Sequence, residues 1–272
     1  MFVRGYIDES YGQRIFTLSC LVAIGSKWMW FSSDWKKCIR RVNKRLRAQG
    51  RKTIKRYHAS DCSNCLNDFA GWSRDEQIAF TSDLLVVFQK HSVDTTAYSV
   101  DLQDFSEVFP GVKPGEETLV SLYGLLMKFL LSEMGSRYCQ RPETKMALIH
   151  ERSPYDGVLA RAFNQMMNDP GFAYKHSFTS LTSASWEDCI PLQPADLVAY
   201  ENMKETERRV VGRRRRKSLE LLLDLGSFGG RGRFIQRDGL LVLKKIHDAA
   251  KQARSISASM PEDSEDHNAG NS

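Results

Sequence analysis

Hydrophobic residues near the start of the chain follow two different spacings. Residues 2–8 and 15–24 are rich in β-forming side chains, and turn-forming residues 10–13 separate them, which predicts a β-hairpin. Further along, apolar residues recur every three or four positions, the spacing of one helical face. These residues are Trp28, Phe31, Trp35, Cys38, Val42 and Leu46. The chain therefore begins with a predicted hairpin followed by an amphipathic helix.

The rest of the chain alternates between helical and extended patterns. Helices are predicted over residues 75–90, 116–134, 156–167 and 191–208, and strands over residues 92–101, 144–151 and 176–181. The uninterrupted apolar run at residues 146–149 is typical of a strand covered on both faces. This order predicts an α/β fold whose mixed sheet is antiparallel at the hairpin, mostly parallel afterwards, and flanked by helices.

Length and composition predict one principal domain. The chain has 272 residues, of which 42% are hydrophobic and 26% charged, as in soluble folded proteins. We expect this domain over residues 1–207, a basic helical extension over 208–254, and a disordered acidic tail over 255–272. Within the extension, the pattern predicts a short helix at 217–225, a glycine-rich loop at 226–232 and a closing helix at 238–254.

Neither a membrane span nor a disulfide framework is expected. The longest apolar stretch, residues 119–131, is short for a bilayer and contains Lys128. The N-terminus lacks the pattern of a secretory signal. Cys62, Cys65 and His58 could supply three zinc ligands, but a fourth would have to come from a distant residue. We therefore expect a cytoplasmic protein whose six cysteines are reduced thiols.

The charge of the chain is unevenly distributed. The net charge is +6, although the last twelve residues carry four acids and no Lys or Arg. Residues 36–56 contain eleven Lys or Arg and no acid, and residues 208–217 form a second basic block. Two such blocks favour a polyanionic partner, although each block alone could be a solvated surface. The residues predicted to contact nucleic acid are Arg40, Arg41, Lys44, Arg45, Arg47, Arg51, Lys52, Lys55, Arg56, Arg213, Arg214, Arg215, Arg216 and Lys217.

Four acidic residues stand at the predicted ends of strands or starts of helices. Asp8 and Glu9 end the first strand, Glu151 ends the strand at 144–151, and Asp196 lies in the first turn of the helix at 191–208. Mg²⁺ and Mn²⁺ prefer oxygen ligands of this kind. Because successive strand residues point to opposite faces, we assign Asp8 to the metal and Glu9 to a helper or structural role. Turn formation and the helix dipole are the alternative explanations for each acid.

One histidine could join these acids. His58 follows the first basic block, so it is a candidate for contact with a phosphate or a metal, and a hydrogen-bonded structural histidine is the alternative. Ser10 has no adjacent partners for a hydrolase triad. The chain also lacks the Gly-x-Ser-x-Gly and Gly-x-x-x-x-Gly-Lys-Ser/Thr motifs, which disfavours serine hydrolases and P-loop ATPases.

Four sequence elements occur here in a recognisable order. Residues 6–10 read Tyr-Ile-Asp-Glu-Ser, residues 58–61 read His-Ala-Ser-Asp, an apolar strand ends at Glu151, and residues 192–197 read Leu-Gln-Pro-Ala-Asp-Leu. With these elements the chain resembles, over roughly residues 3–205, the bacterial and phage family called domain of unknown function 3800. The resemblance implies a ribonuclease H-like catalytic domain over residues 1–207. It also places Asp8, Glu151 and Asp196 where that superfamily has its metal-binding acids.

Three positions depart from the family pattern. Tyr11 intervenes between the Asp-Glu-Ser step and Gly12, where the family usually has glycine directly. Glu151 stands after His150 where many members have aspartate, and Pro194 replaces a common aliphatic residue. Glutamate still ligates metals, although its longer side chain changes the spacing of the ligands.

These observations predict a metal-dependent nuclease that uses one or two Mg²⁺ or Mn²⁺ ions. The setting of the family suggests a role in phage defence or mobile-element biology. The main alternative is a non-catalytic nucleic-acid-binding or assembly protein on the same fold, and a third hypothesis is a phosphotransferase or a hydrolase of small nucleotides. Convergence of the carboxylates would distinguish the first two. The choice of DNA, RNA or hybrid, and of a protein partner or homodimer, stays open.

Overall fold

The computed structural model describes residues 1–91, 93–214, 216, 220 and 231–259. Strands β1 (Phe2–Tyr11) and β2 (Ile15–Ile24) form the predicted hairpin. Its turn is closed by a hydrogen bond from the Gly12 N–H to the Ile15 carbonyl. β1 continues past the predicted end at Asp8, so Asp8 and Glu9 lie within the strand instead of in a turn.

The remaining strands complete a six-stranded mixed sheet within the described part of the chain. They are β3 (Asp94–Asp101), β4 (Lys145–Glu151), β5 (Phe178–Ala184) and β6 (Arg231–Ile235). The strand order is β5-β4-β1-β2-β3-β6. β2 is antiparallel to both neighbours, and the other pairs are parallel. The α/β fold and the mixed sheet are therefore confirmed.

Helices cover both faces of this sheet. They are α1 (Gly25–Ala48), α2 (Ala59–Asn64), α3 (Arg74–His91), α4 (Leu102–Val108), α5 (Glu116–Tyr138), α6 (Asp156–Asn168), α7 (Leu192–Val210) and α8 (Arg237–Ser259). On face one, α1, α3 and α7 share a core with Tyr6 and Leu21. On face two, α4, α5, α6 and α8 share a core with Ile7 and Leu18. Alternate residues of each strand thus enter opposite cores.

The apolar stripe of α1 is buried as its spacing predicted. Trp28, Phe31, Trp35, Val42 and Leu46 all lie in the face-one core, where they pack against α3 and the sheet. Their rings form edge and stacked contacts, including one between Phe31 and Trp35. Burial of this stripe leaves the basic residues of α1 on the outer surface.

By length and composition, α5 is the one helix in the described ranges that could cross a membrane, with a mean hydropathy of 1.2. Half of its most apolar window is buried. Leu122, Leu126 and Leu130 are fully buried in the face-two core. A core helix of this kind meets the same length and composition criteria, so α5 is weak evidence for a membrane.

The C-terminal extension contains a β-strand in addition to the closing helix that we expected. β6 pairs in parallel with β3 and adds a strand to the sheet edge, and α8 buries Leu240 in the face-two core. α8 also continues to Ser259, past residue 255 where we expected disorder to begin. The predicted helix at 217–225, most of the glycine-rich loop at 226–232 and the tail after residue 259 lie outside the described residues.

Candidate functional site

The register of two neighbouring parallel strands brings Asp8 and Glu151 to the same face of the sheet. Tyr6 of β1 lies opposite Ile149 of β4, and both side chains contribute to the face-one core. Since strand side chains alternate, Asp8 and Glu151, two positions further along each strand, also point to face one. Asp8 therefore lies beside Glu151, the last residue of β4, on face one.

The start of α7 places Asp196 beside these strand ends. The Ser19 hydroxyl, on the residue opposite Asp8 in the hairpin, lies 3.4 Å from both the Asp8 and the Ala195 carbonyl oxygens. This contact joins the first turn of α7 to β1 and β2. The Asp196 carboxylate follows directly and accepts a 2.7 Å hydrogen bond from the Ala59 N–H.

The three acids affect one another electrostatically. Burial raises the pKa of Asp8 well above its usual range, and the charges of Glu9, Asp196 and Glu151 raise it further. Burial also raises the pKa of Asp196 to about 6, with the Glu151 charge adding to the effect and His58 and the Ala59 N–H opposing it. Among the described residues, the Asp8 carboxylate accepts one hydrogen bond, from the Glu9 N–H at 2.8 Å, and forms no ion pair. A bound cation would relieve this repulsion.

Strand alternation directs Glu9 to face two, although its charge still acts on Asp8. Its neighbour there is Tyr123 on α5, a fully buried residue. Burial raises the pKa of Glu9, and the Tyr123 hydroxyl opposes the rise. Burial and the Glu9 charge together raise the pKa of Tyr123, whose hydroxyl has no well-aligned hydrogen bond within the described ranges. This placement agrees with the assignment of Glu9 to a supporting role.

His58 lies at the entrance to α2, near Asp196. Its Nδ1 is 3.0 Å from the Asp61 carboxylate, and its charge lowers the pKa of Asp196. The histidine is therefore on the same side of the molecule as the acids. Its contact with Asp61 also agrees with the structural alternative.

Arg56 and Trp186 form a contact that the sequence analysis did not identify. The Arg56 Nη1 lies 3.3 Å from Glu151 Oε1, and the guanidinium lies over the Trp186 ring at 4.7 Å from its centroid. Arg56 was predicted only as one cation of a basic block, and Trp186 was not singled out. A tryptophan shortly after a strand end was the signal available for Trp186.

Gln193 was another missed residue, and it positions the loop before α2. Its side-chain oxygen accepts hydrogen bonds from Trp35 Nε1 and from the Tyr57 N–H, both at 3.0 Å. Because Tyr57 is two residues before Ala59, this link holds the Ala59 N–H close to Asp196. The amide of the Leu-Gln-x-Ala-Asp-Leu element thus joins α1, the loop and α7.

The described residues contain no group of three or more His, Cys, Asp and Glu side chains arranged to hold a metal ion. The three carboxylates are nevertheless the donor type that Mg²⁺ and Mn²⁺ prefer. In this arrangement Glu151 contacts Arg56, and Asp196 accepts the Ala59 N–H. Ligation through Glu151 Oε1 would require that oxygen to leave Arg56.

Zinc ligation by Cys62, Cys65 and His58 finds no support in the described ranges. All six cysteines are free thiols, and none contributes to a group that could hold a metal. Burial raises the pKa of the Cys62 thiol to about 12, so this cysteine is a poor source of thiolate.

Comparisons with protein-family models, curated proteins and solved structures found no match for this chain. The family resemblance therefore depends on the sequence elements around Asp8, His58, Glu151 and Asp196. Any functional argument depends on the geometry of the site itself.

The first basic block is divided between free and paired side chains. Arg51 is 2.6 Å from Glu76, Lys52 is 2.7 Å from Asp68, and Arg41 is 3.6 Å from Asp83. Arg56 is 3.3 Å from Glu151. The remaining predicted contacts of this block are exposed and form no ion pair among the described residues: Arg40, Lys44, Arg45, Arg47 and Lys55. The outer surface of α1 and the loop after it are consequently positive.

Arg216 in the second block differs from the exposed position we expected. Its side chain is 12% exposed, with Nε 3.1 Å from the buried Glu201 carboxylate. A further hydrogen bond joins Arg216 to Ser63, so it has a structural contact in place of a free charge. Arg213 and Arg214 are exposed, whereas Arg215 and Lys217 lie outside the described residues.

Proposed function

We propose that this protein is a metal-dependent nuclease that hydrolyses phosphodiester bonds. The observation that carries the proposal is the grouping of Asp8, Glu151 and Asp196 on one side of the sheet. Asp8 and Glu151 lie on the neighbouring strands β1 and β4, and the start of α7 brings Asp196 next to them. Burial raises the pKa of Asp8, and the charges of Glu9, Asp196 and Glu151 raise it further. Clustering of buried like charges is unfavourable for folding alone, which supports a role for the cluster in binding a cation.

Asp8, Glu151 and Asp196 would hold one or two Mg²⁺ or Mn²⁺ ions. Such ions supply activation of water and stabilisation of the leaving oxygen. The exposed cations of α1 and Lys55 would bind the phosphate backbone, which sets affinity and salt dependence but carries no sequence preference. The segment after α1 leads in the chain to Arg56, which contacts Glu151, so one residue of the first basic block lies at the acids.

The fold also supports the proposed ribonuclease H-like assignment. An antiparallel hairpin followed by the parallel strands β4 and β5 accords with the sheet that we expected from the sequence. A role in phage defence or mobile-element biology is part of this proposal and rests on the family resemblance. The proposed cytoplasmic location rests on the N-terminal pattern and on the expected thiol state of the cysteines.

A non-catalytic nucleic-acid-binding protein is the second candidate function. It is favoured by the Arg56–Glu151 contact, which gives one acid a protein partner, and by the lack of an assembled metal group in the described ranges. In that case the acids would have a structural role and the basic surface would be the functional one.

Cleavage assays with matched variants separate the two functions. Labelled single-stranded and duplex DNA, RNA and RNA–DNA hybrid are incubated with Mg²⁺ or Mn²⁺ at fixed salt. The nuclease proposal expects Asp8→Asn, Glu151→Gln and Asp196→Asn each to reduce cleavage at least about 100-fold, since losing a ligand should cost more than losing an outer-shell partner. The control is Glu143→Gln, an exposed acid before the opposite end of β4. Salt-sensitive binding without cleavage would support the binding protein.

A further inference from the structure

Trp186 lies on an ordered turn next to the acids. The turn follows β5, whose last residue, Ala184, pairs with Glu151. It is closed by hydrogen bonds to the Ser185 carbonyl from the Asp188 and Cys189 N–H groups, at 3.2 and 3.0 Å. The Ser185 hydroxyl also donates to the Asp188 carboxylate at 2.9 Å. The partly exposed Trp186 ring is thus held on a short, hydrogen-bonded support.

A positively charged side chain lies over this ring, and other basic residues are close to it in the chain. Arg56 covers part of it and reaches Glu151, and Lys55 precedes Arg56 as an exposed side chain. The exposed Arg152 follows Glu151 in the chain, and its N–H donates to the Ala184 carbonyl at 2.9 Å. The aromatic ring therefore lies beside a cation that also contacts Glu151, a combination suited to a nucleic-acid strand.

We propose that Trp186 is a stacking platform for an unpaired base, and that Arg56 binds the phosphate next to that base. The inference rests on the proposed function and names its substrate class as single-stranded nucleic acid. A base within a duplex is already stacked on its neighbours, so it must leave the helix before it can lie on a protein ring. Stacking on an aromatic side chain tolerates every base, so sequence preference is expected to be weak.

Arg56 links the base site to the acids. Its guanidinium interacts with both Trp186 and Glu151, and guanidinium groups bind phosphate through paired N–H donors. A phosphate group of the bound nucleic acid would compete with Glu151 for the Arg56 guanidinium. Binding of single-stranded substrate would then free the Glu151 carboxylate for the metal.

Equilibrium binding tests the base site without requiring cleavage. Fluorescence anisotropy is measured in EDTA at fixed salt with labelled twelve-nucleotide thymidine and uridine strands and a twelve-base-pair duplex. We expect Trp186→Leu to weaken single-strand binding about 5- to 100-fold, the effect of losing one stacked base, and to change duplex binding less than about 2-fold. Trp186→Phe keeps an aromatic ring and should stay within about 3-fold of the wild type.

Two further variants locate the effect. Trp30→Leu is the matched control, because Trp30 is 62% exposed on α1, near the end of the sheet where Ile24 pairs with Val3. It should leave binding unchanged. Arg56→Gln should weaken binding of the single strands and reduce the dependence on salt by about one phosphate contact.

The outcomes distinguish this inference from the nuclease proposal. Unchanged single-strand affinity in Trp186→Leu, or an equal loss for single strand and duplex, would overturn the base site. Far-ultraviolet circular dichroism and the melting temperature verify that each variant is folded. A positive binding result together with absent metal-dependent cleavage would leave the base site standing and overturn the nuclease proposal alone.

Discussion

Asp8 shows how one residue can combine a folding cost with a chemical role. Its carboxylate is 6% exposed, and its pKa is raised by burial and by three neighbouring acids. Buried charges without a counter-charge destabilise a fold. The same property makes the site attractive to a divalent cation, since the ion would replace the lost solvation and reduce the repulsion.

Asp8→Asn should therefore stabilise the metal-free protein. The pKa of Asp8 is higher in the folded than in the unfolded chain. The Asp8 carboxyl therefore does not reduce the unfolding free energy of the wild type below the ordinary aspartate pKa of about 4, and it reduces that free energy as pH rises through the folded pKa. Asparagine does not titrate in this range. We expect the variant to gain about 1–2 kcal/mol in unfolding free energy at pH 8, and less at pH 4.5, in urea titrations with EDTA. Equal stability of the two proteins at both pH values would contradict the burial of an uncompensated charge.

Metal addition should reverse the order of stability of these two proteins. A ligand that binds the folded state at 100 times its dissociation constant stabilises by about 2.7 kcal/mol. Mg²⁺ or Mn²⁺ should raise the melting temperature of the wild type and have little effect on Asp8→Asn, as measured by differential scanning fluorimetry. Ca²⁺ and a matched concentration of NaCl serve as ionic controls. Equal shifts in both proteins would indicate binding elsewhere.

At the scale of elements, Asp34 joins two helices of face one. Its carboxylate on α1 lies 2.6 Å from Lys90 and 3.0 Å from His91, both at the end of α3. Lys37 on α1 adds a third contact at 2.8 Å. Hydrogen bonds from Lys37, Lys90 and His91 hold the pKa of Asp34 well below its usual range. The first half of α1 and the end of α3 are consequently linked near the contact between Phe31 and Phe88.

Asp34→Asn should destabilise this pair of helices. A lowered folded pKa means that the stabilisation is present above about pH 4 and is lost as pH falls through the folded value. We expect a loss of about 1 kcal/mol at pH 7, after allowance for solvent screening of the lysines, and a smaller difference at pH 3, by urea unfolding. Asp83→Asn is the control, since Asp83 is 47% exposed and 3.6 Å from Arg41, and it should cost less than about 0.5 kcal/mol. Similar losses in both variants would argue against a specific helix link.

At the scale of the whole molecule, the C-terminal segment belongs to the main fold. β6 covers the edge of β3, which would otherwise present unpaired backbone groups. Leu240 of α8 is fully buried, and Arg233 pairs with Glu133 of α5 at 2.9 Å. The composition of the chain therefore changes near residue 207, but residues on both sides of this position contribute to the same core.

A chain that ends at Val210 should fold poorly. It would lack β6 and α8, so the β3 edge and the part of the face-two core around Leu240 would be open to solvent. We expect loss of the cooperative thermal transition, or association detected by size-exclusion chromatography. A chain ending at Ser259 keeps both elements, and its melting temperature should lie within about 2 °C of that of the full protein. A shift of this size corresponds to only a small change in unfolding free energy. A cooperative, monomeric 1–210 fragment with wild-type stability would make the extension a separate unit.

Much of the architecture could be predicted from local patterns. The candidate acids were then identified from their positions at the ends of the predicted elements. The helical spacing of Trp28 to Leu46 identified α1 because neighbouring residues determine which face of a helix is apolar. Strand alternation separated Asp8 from Glu9 for the same reason. β5 was less accurate: it begins at Phe178, after a short 3-10 turn, and ends at Ala184. Boundaries of this kind depend on pairing with β4, which the local pattern does not contain.

The sequence by itself determined the alternation of strands and helices, the basic blocks along the chain and the element to which each acid belongs. Only the tertiary structure decided that Arg56 contacts Glu151 and Trp186, that Gln193 holds the loop before α2, and that β6 completes the sheet. Periodicity arises from backbone geometry over a few neighbouring residues. These contacts join segments far apart in the chain, and their geometry depends on how all the intervening elements pack.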